Sequence, residues 1–538
     1  MKPFPVHGAA LAIGALAMAG WLAPLASGYF LSDDFVIFAT FGDAEEKRTL
    51  LASAFAKFAA GLDVATSRFY RPLPHLSFAA CYALFGADAS PWLLVNLAAH
   101  LATALLVAVL AWQLHGDRSW RSVAGGLAGA TVFVAFAPGL EAAAWVAARY
   151  DAFATFFSLA SCAAFVAAKR RWGAAAGISL AAFALAILSK ESAAMVPPAI
   201  VVLAIWKRRD EALSPASRLP AAFADAWPWI ALAVAYLLLR AAIFGTPFEV
   251  YAGSRPGAFA LSPERWASLA GSIAPWARAQ FPEVGNRLAL AVLVAAMLAT
   301  ALALFDRRAV AGTVAALVLA AGSLLILSPH LGGLQADGSG GRLFHMTGAF
   351  LGVLVGVAGG SARMRGIASV LAVFVASATL LAGTAARERW VRAHGEMRAV
   401  AGGLGRLYAT LDAKDHALVV IPEARGPIPF GLNGQAGLML PPVQARSISD
   451  RILVQTAGEL AGTARKFRRG IIANLRRFPL LQLDAKGVDG PSEYPTRVYC
   501  WPETGTALVA VPVPAAGDAQ AWLESVRAGL EARACATK

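Results

Sequence analysis

Two carboxylates stand side by side at Asp33 and Asp34 in the run YFLSDDFVIF, directly after the first long apolar stretch of the chain. Adjacent acids suit general-base work: a neighbouring carboxylate or an apolar wall raises one pKa while the other group stays ionised, and the raised group can take a proton from a hydroxyl. Further charges recur at the ends of later apolar stretches. They are Arg71 and His75 in RFYRPLPH, Arg149 and Asp151 in AARYD, Lys190 and Glu191 in LSKES, and Arg342 in GGRLFH. Cations such as Lys190, Arg149 and Arg342 suit the clamping of phosphate oxygens and the stabilisation of charge developing on a phosphate leaving group. Taken singly, each has a plainer role, as a solvated loop acid, a structural ion pair or an interface anchor. His100 and Asn96 lie inside an apolar stretch, where an interhelical hydrogen bond is the expected role.

The elements that must position these residues are membrane helices. The 538 residues are 58% hydrophobic and 15% charged, with a mean hydropathy of +0.59, against roughly 45–50% apolar and about 25% charged in soluble domains. Apolar runs of about 17–25 residues, long enough to cross hydrocarbon as helices, recur up to about residue 386. The net charge of +14 does not indicate a nucleic-acid partner, because it comes in short clusters between apolar runs, such as Lys169-Arg170-Arg171, Lys207-Arg208-Arg209 and Arg307-Arg308. That is the positive-inside pattern.

We expect about eleven spans: 7–26, 92–113, 122–137, a fourth ending at the Lys169 cluster, 173–188, a sixth ending at the Lys207 cluster, then 226–243, 287–305, 310–327, 345–360 and 367–385. Lys2 keeps the N-terminus inside, so an odd number of spans puts the C-terminus outside. The fold class expected is an α-helical polytopic membrane protein with a C-terminal soluble α/β domain. Residues 1–386 form the membrane domain, with outer loops 27–91 and 244–286, and residues 387–538 the outer domain. The first loop holds an acidic-basic helix-like piece at Asp43–Lys57 and an interfacial or re-entrant helix ending at Phe85. The tail shows strand-like runs at Ala417–Pro422, Thr496–Trp501 and Ala507–Val513, and helical patterns near 450–468 and 517–533. With this topology all nine candidate residues fall on the outer side.

Of the four cysteines, Cys81 and Cys162 lie in or near apolar segments without metal-ligand spacing, and Cys500 and Cys535 can pair only if the tail is outside the cytoplasm. There is no HExxH, nucleotide-binding glycine loop or cysteine metal site, which argues against a nucleotide-sugar enzyme of the cytosolic type and against a zinc hydrolase. A divalent cation on carboxylates is compatible with the sequence, which does not demand one.

The Asp33-Asp34 pair, the stretch RPLPHLSFAACYALFGADASPWLLVNLAAHLATALL, then PGLEAAAWVAARYD, LSKES and GGRLFHMTGAF together resemble, in order and spacing, the GT-C superfamily of integral-membrane glycosyltransferases. The branch containing protein O-mannosyltransferases is the nearest in pattern, with bacterial lipid A aminoarabinose transferases built on the same plan. The likeness covers about residues 7–360. It implies a polyprenyl-phosphate-linked sugar donor, a glycan, lipid or protein acceptor, and a periplasmic active site in a bacterial inner membrane, with inversion at the sugar carbon. It makes Asp33 the base with Asp34 in support, and puts Arg149 and Asp151 in the loop that shapes the site. Lys190 and Glu191 then lie beside the lipid phosphate and sugar, and Arg342 on the phosphate. The family's acid before that arginine is absent, since Gly341, Leu343 and His345 occupy the neighbourhood of Arg342. The rival readings are a lipid-linked-glycan transporter, which should show inverted repeats and mid-depth charges, and an inactive scaffold.

Overall fold

The computed structural model describes residues 4–37, 41, 55, 69–116, 119–170, 173–211, 214–247, 271, 275–281, 286–327, 334, 338–361, 366–412, 415, 417–449, 451–458, 497–502, 505–513, 519–533 and 535. The chain falls into two compact units. The first comprises Met1–Ser27, Ser67–His75 and Trp92–Arg389, and the second Gly28–Thr66, Leu76–Pro91 and Trp390–Lys538. The helix-like piece expected at Asp43–Lys57 and most of the loop 244–286 lie outside the described residues.

The helices in chain order are α1 (Phe4–Ala26), α2 (Pro72–Phe85), α3 (Ala89–His115), α4 (Trp120–Val134), α5 (Leu140–Ala144), α6 (Arg149–Ala167), α7 (Ala174–Ile187), α8 (Val196–Lys207), α9 (Pro215–Phe244), α10 (Asn286–Leu304), α11 (Val310–Leu327), α12 (His345–Gly359) and α13 (Ile367–Thr410). All eleven segments expected to span are helical. Seven helices among the described residues are long and apolar enough to cross a membrane, and an eighth span is formed if α4 and its bent continuation through α5 are counted together. The expected eleven is reduced because α7 has 14 residues and α8 has 12. At ~1.5 Å per residue, helices of that size fall short of about 30 Å of hydrocarbon. The apolar part of α11 is also shorter.

The irregular points follow from the sequence. Pro138 starts a 3-10 turn at Ala137–Gly139, and the chain bends by 59° between α4 and the segment ending in α5; proline removes a helix donor and crowds the preceding turn. Between α7 and α8, Lys190 is extended (φ −163°, ψ 147°) and is followed by a 3-10 turn at Glu191–Met195. Pro197 then sits in the first turn of α8, where a missing N–H costs nothing.

An extensive close contact in the first unit joins α4 to α12, through glycines. A Cβ built on Gly129 would lie 2.1 Å from the Gly352 carbonyl oxygen, and one on Gly125 2.5 Å from that of Gly356. The four-residue spacing on both helices is the small-residue pattern that lets membrane helices meet backbone to backbone. The contact sets where α12, and the turn that precedes it, stands against the α4–α5 bend.

In the second unit α13 changes character past Arg387, with Trp390, Ala393, Met397, Val400, Leu404 and Leu407 buried along one face. A four-stranded sheet follows in the order β4-β1-β5-β6, from β1 (Ala417–Ile421), β4 (Ile452–Thr456), β5 (Arg497–Cys500) and β6 (Val509–Val511); β1 is parallel to β4 and β5, and β6 is antiparallel to β5. A two-stranded hairpin, β2 (Ala424–Arg425) with β3 (Ile428–Pro429), lies in the β1–β4 connection, which also contains α14 (Gln435–Leu438). The last helix, α15 (Ala519–Ala532), buries Val526 and Leu530 with Leu418, Val498, Cys500 and Val511. Cys500 and Cys535 are disulfide-bonded with Cα atoms 5.9 Å apart. The α/β tail agrees with expectation, with one correction: Ile452–Thr456 is a strand rather than part of a helix over 450–468. Its burial alternates along the strand, the period-two signature that the alanine-rich sequence after it had masked.

Gly129→Ala should lower the thermal unfolding midpoint of the purified protein in detergent, by the equivalent of about 1–3 kcal/mol for an overpacked contact. Gly177→Ala, where a new Cβ meets nothing within 4 Å, serves as the control and should leave the midpoint unchanged or slightly raised. Equal effects of the two would contradict the glycine contact.

Candidate functional site

Seven of the nine candidate residues lie in the first unit, where the structure joins them by ion pairs and hydrogen bonds. Three carboxylates stand in the first turns of three short or broken helices: Glu141 in α5, Asp151 in α6 and Glu191 in the turn after Lys190. The partial positive charge of a helix N-terminus favours acids there. Each holds a cation. Lys190 Nζ donates to Asp151 Oδ1 at 2.5 Å. Arg71 donates through Nε and Nη2 to Glu191 Oε2, at 2.9 and 2.6 Å, while Arg240 donates to the other oxygen of Glu191 at 2.8 Å. Arg342 is paired through its guanidinium with Glu141, which also accepts the Arg342 backbone N–H at 3.2 Å.

The backbone that carries these groups is shaped for the purpose. Arg71 immediately precedes the proline that opens α2, and its guanidinium stacks over Phe69 at 3.9 Å. Arg342 sits in a 3-10 turn (Gly341–Phe344) entered through Gly338 and Gly340, both with left-handed φ near 90°. A Cβ on Gly341 would lie 2.7 Å from the Pro138 carbonyl oxygen, so the DGSGGR run is glycine-rich because side chains there would push the arginine off the α4–α5 bend. The arginine also packs over the Trp145 ring at 4.6 Å.

Arg149 is fully buried and turns to α3, donating to Asn96 Oδ1 and to the Trp92 carbonyl, each at 2.7 Å. Asn96 in turn donates to the carbonyls of Ala142 and Trp145, so these two residues tie α3 to the α5–α6 corner. His75 meets the Tyr150 hydroxyl at 3.2 Å. Deeper, His100 Nε2 faces the Val134 carbonyl, which fixes its proton there; Nδ1 then accepts from His345 Nε2 at 3.0 Å, and His345 Nδ1 faces the Thr155 hydroxyl. His100 therefore has the interhelical role expected of it.

Burial and neighbouring charge shape the groups outside the spans. Burial lowers the Lys190 pKa; Asp151 opposes the shift, while the charges of Arg71 and Arg342 add to it. For Glu191, burial alone would raise the pKa, but Arg71 and Arg240 outweigh it and hold the group below the usual carboxylate value. His75 is lowered to about 4 by burial and then by Arg71. Arg71, Lys190, Arg240 and Arg342 are thus paired with three carboxylates, Glu141, Asp151 and Glu191.

Asp33 and Asp34 belong to the second unit and differ in their surroundings. Asp34 is 1% exposed, and its Oδ2 accepts the Leu31 N–H at 2.9 Å, closing its own turn. Asp33 is half-buried, with Oδ1 accepting from Asn433 Nδ2 at 3.0 Å. Among the described residues no three His, Cys, Asp or Glu side chains gather as a metal centre would need.

Glu141 and Arg240 are not among the site residues expected from the sequence. Arg240 had a usable signal, a lone arginine inside an otherwise apolar span. Glu141 reaches Arg342 from another element, a pairing that only the fold reveals.

No family model matches the chain, and no curated protein matches it. Two solved structures align with it. One is ArnT from Cupriavidus metallidurans bound to undecaprenyl phosphate, at 15% identity over 84% of this chain and 94% of that chain, with a TM-score of 0.40. The other is the same protein in the apo state, at 15% identity over 91% and 92%, with a TM-score of 0.35. At that distance the likeness assigns no residue a role.

The histidine offers a test. Its folded-state value near 4 lies below the value of about 6.5 in an unfolded chain, so His75 contributes stability that is complete above pH 6.5 and is lost as the pH falls toward 4. Ring resonances of histidine-labelled protein, assigned with His75→Gln, should titrate near pH 4 for this residue and move upward in Arg71→Met. A midpoint at 6 or above in the native chain would contradict the arrangement.

Proposed function

We propose that the chain is an integral-membrane glycosyltransferase that moves a sugar from a polyprenyl-phosphate donor, of the undecaprenyl kind, to a hydroxyl of a lipid, polysaccharide or protein acceptor. The observation that carries this reading is the convergence of Lys190 and Arg342, charged donors that lie close enough to act on each other and are each held by a carboxylate beside a break in the helices. A phosphate headgroup offers oxygens to the same Lys190 and Arg342 donors.

In this reading Lys190 and Arg342 exchange part of their pairing with Asp151 and Glu141 for the donor phosphate. The acceptor oxygen attacks the sugar C1 as Asp33 takes its proton, and the bond from C1 to the phosphate oxygen breaks. The electron pair leaves with the lipid phosphate, where the cations stabilise the added charge. Attack opposite the leaving phosphate inverts C1. Asp33 is the better base of the pair because Asp34 is buried and committed to the Leu31 N–H. The sequence topology fits a bacterial inner membrane, with the active site and residues 387–538 on the periplasmic side.

Purified full-length protein should transfer label from an undecaprenyl-phosphate-linked sugar to an acceptor drawn from lipid, polysaccharide and peptide panels. Asp33→Asn should lower the rate about 100-fold or more, as expected on removing a general base. Asp34→Asn should act chiefly by lowering the unfolding midpoint. Transport of the lipid-linked sugar across vesicles without transfer, or equal transfer by native and Asp33→Asn chains, would overturn the reading.

A further inference from the structure

The second unit carries two non-glycine residues with left-handed backbone among its described residues, Ser32 (φ 47°) and Asn433 (φ 63°), and they lie in one contact. Ser32 donates its N–H to the Phe430 carbonyl at 2.8 Å and its hydroxyl to the Leu432 carbonyl at 2.6 Å. The residue after Ser32 and the residue after Leu432 make the Asn433–Asp33 hydrogen bond. Two glycines let the chains approach this closely: a Cβ on Gly434 would lie 2.2 Å from the Ser32 oxygen, and one on Gly437 2.1 Å from that of Phe35. Left-handed conformations cost free energy in non-glycine residues, asparagine tolerating them best, and they persist where the surroundings enforce them, often at functional sites.

The loop that carries Asn433 is itself fixed. It follows β1, and the Phe430 and Gly431 N–H groups donate to the Glu423 and Pro422 carbonyls. The Glu423 side chain accepts from Thr456 at the end of β4. Asp33 is therefore held from a loop 400 residues away in sequence. From this we propose that Asn433 is a positioning residue for the proton transfer: its amide fixes Asp33 Oδ1 and so sets the plane of the carboxylate toward the acceptor hydroxyl. This rests on the reading of Asp33 as the base.

Asn433→Gly removes the amide yet suits the left-handed backbone, so the loop keeps its shape. Asn433→Asp keeps side-chain shape and backbone preference but replaces the donor with an acceptor. With an undecaprenyl-phosphate-linked sugar and the acceptor that supports transfer by the native chain, Asn433→Gly should lower kcat about 10- to 100-fold, with the donor KM and the unfolding midpoint unchanged. Asn433→Asp should lower kcat further. The double variant Asp33→Asn/Asn433→Asp re-forms the hydrogen bond in the opposite direction and should recover stability without activity. Native kcat in Asn433→Gly, a loss that only follows a lowered midpoint, or recovered transfer in the double variant would overturn the proposal alone. A native chain that transfers nothing would overturn the functional reading and this proposal with it.

Discussion

Charges buried among apolar helices dominate the physics of the first unit. An isolated ion there costs several kcal/mol, and an ion pair recovers that cost only when its geometry is good. Glu141, Asp151 and Glu191 meet the condition for Arg71, Lys190, Arg240 and Arg342. The same donors suit a phosphate, whose oxygens can take the place of a carboxylate's.

The rest of the unit can be understood as the means of holding that cluster together. The bend at Pro138 presents Glu141, the break at Lys190 presents a cation and an acid in succession, and the Gly338–Gly341 turn brings Arg342 to them. The glycine contact between α4 and α12 fixes the two sides of the Glu141–Arg342 pair, so helix packing and charge pairing depend on each other. Irregular backbone inside a membrane protein is tolerated where it lines a functional region rather than lipid.

Much of the architecture was legible in the sequence because apolar length is a strong signal: all eleven expected helical segments are present, and the β1, β5 and β6 runs and the Cys500–Cys535 pair were readable as well. Span length was less so. Charges and prolines mark where a helix ends, but a 12-residue helix beside a break resembles one end of a longer span. The site was half legible. Residues in short motifs, such as Lys190-Glu191, drew attention by type. Partners supplied by distant segments did not, because nothing local in GLEAA marks Glu141 as the counter-ion of Arg342, and nothing in FGLNG points back across 400 residues to Asp33.

The central claim is that the buried cations hold a phosphate. Its most direct test is the affinity of the purified native chain for undecaprenyl phosphate compared with uncharged undecaprenol, measured by native mass spectrometry in the same detergent and repeated on Lys190→Met. Charge-assisted hydrogen bonds contribute about 1.5–3 kcal/mol, so the phosphate should bind roughly 10- to 100-fold more tightly than the alcohol, and Lys190→Met should remove most of that difference. Equal affinity for the two lipids, or a preference untouched by Lys190→Met, would contradict the account.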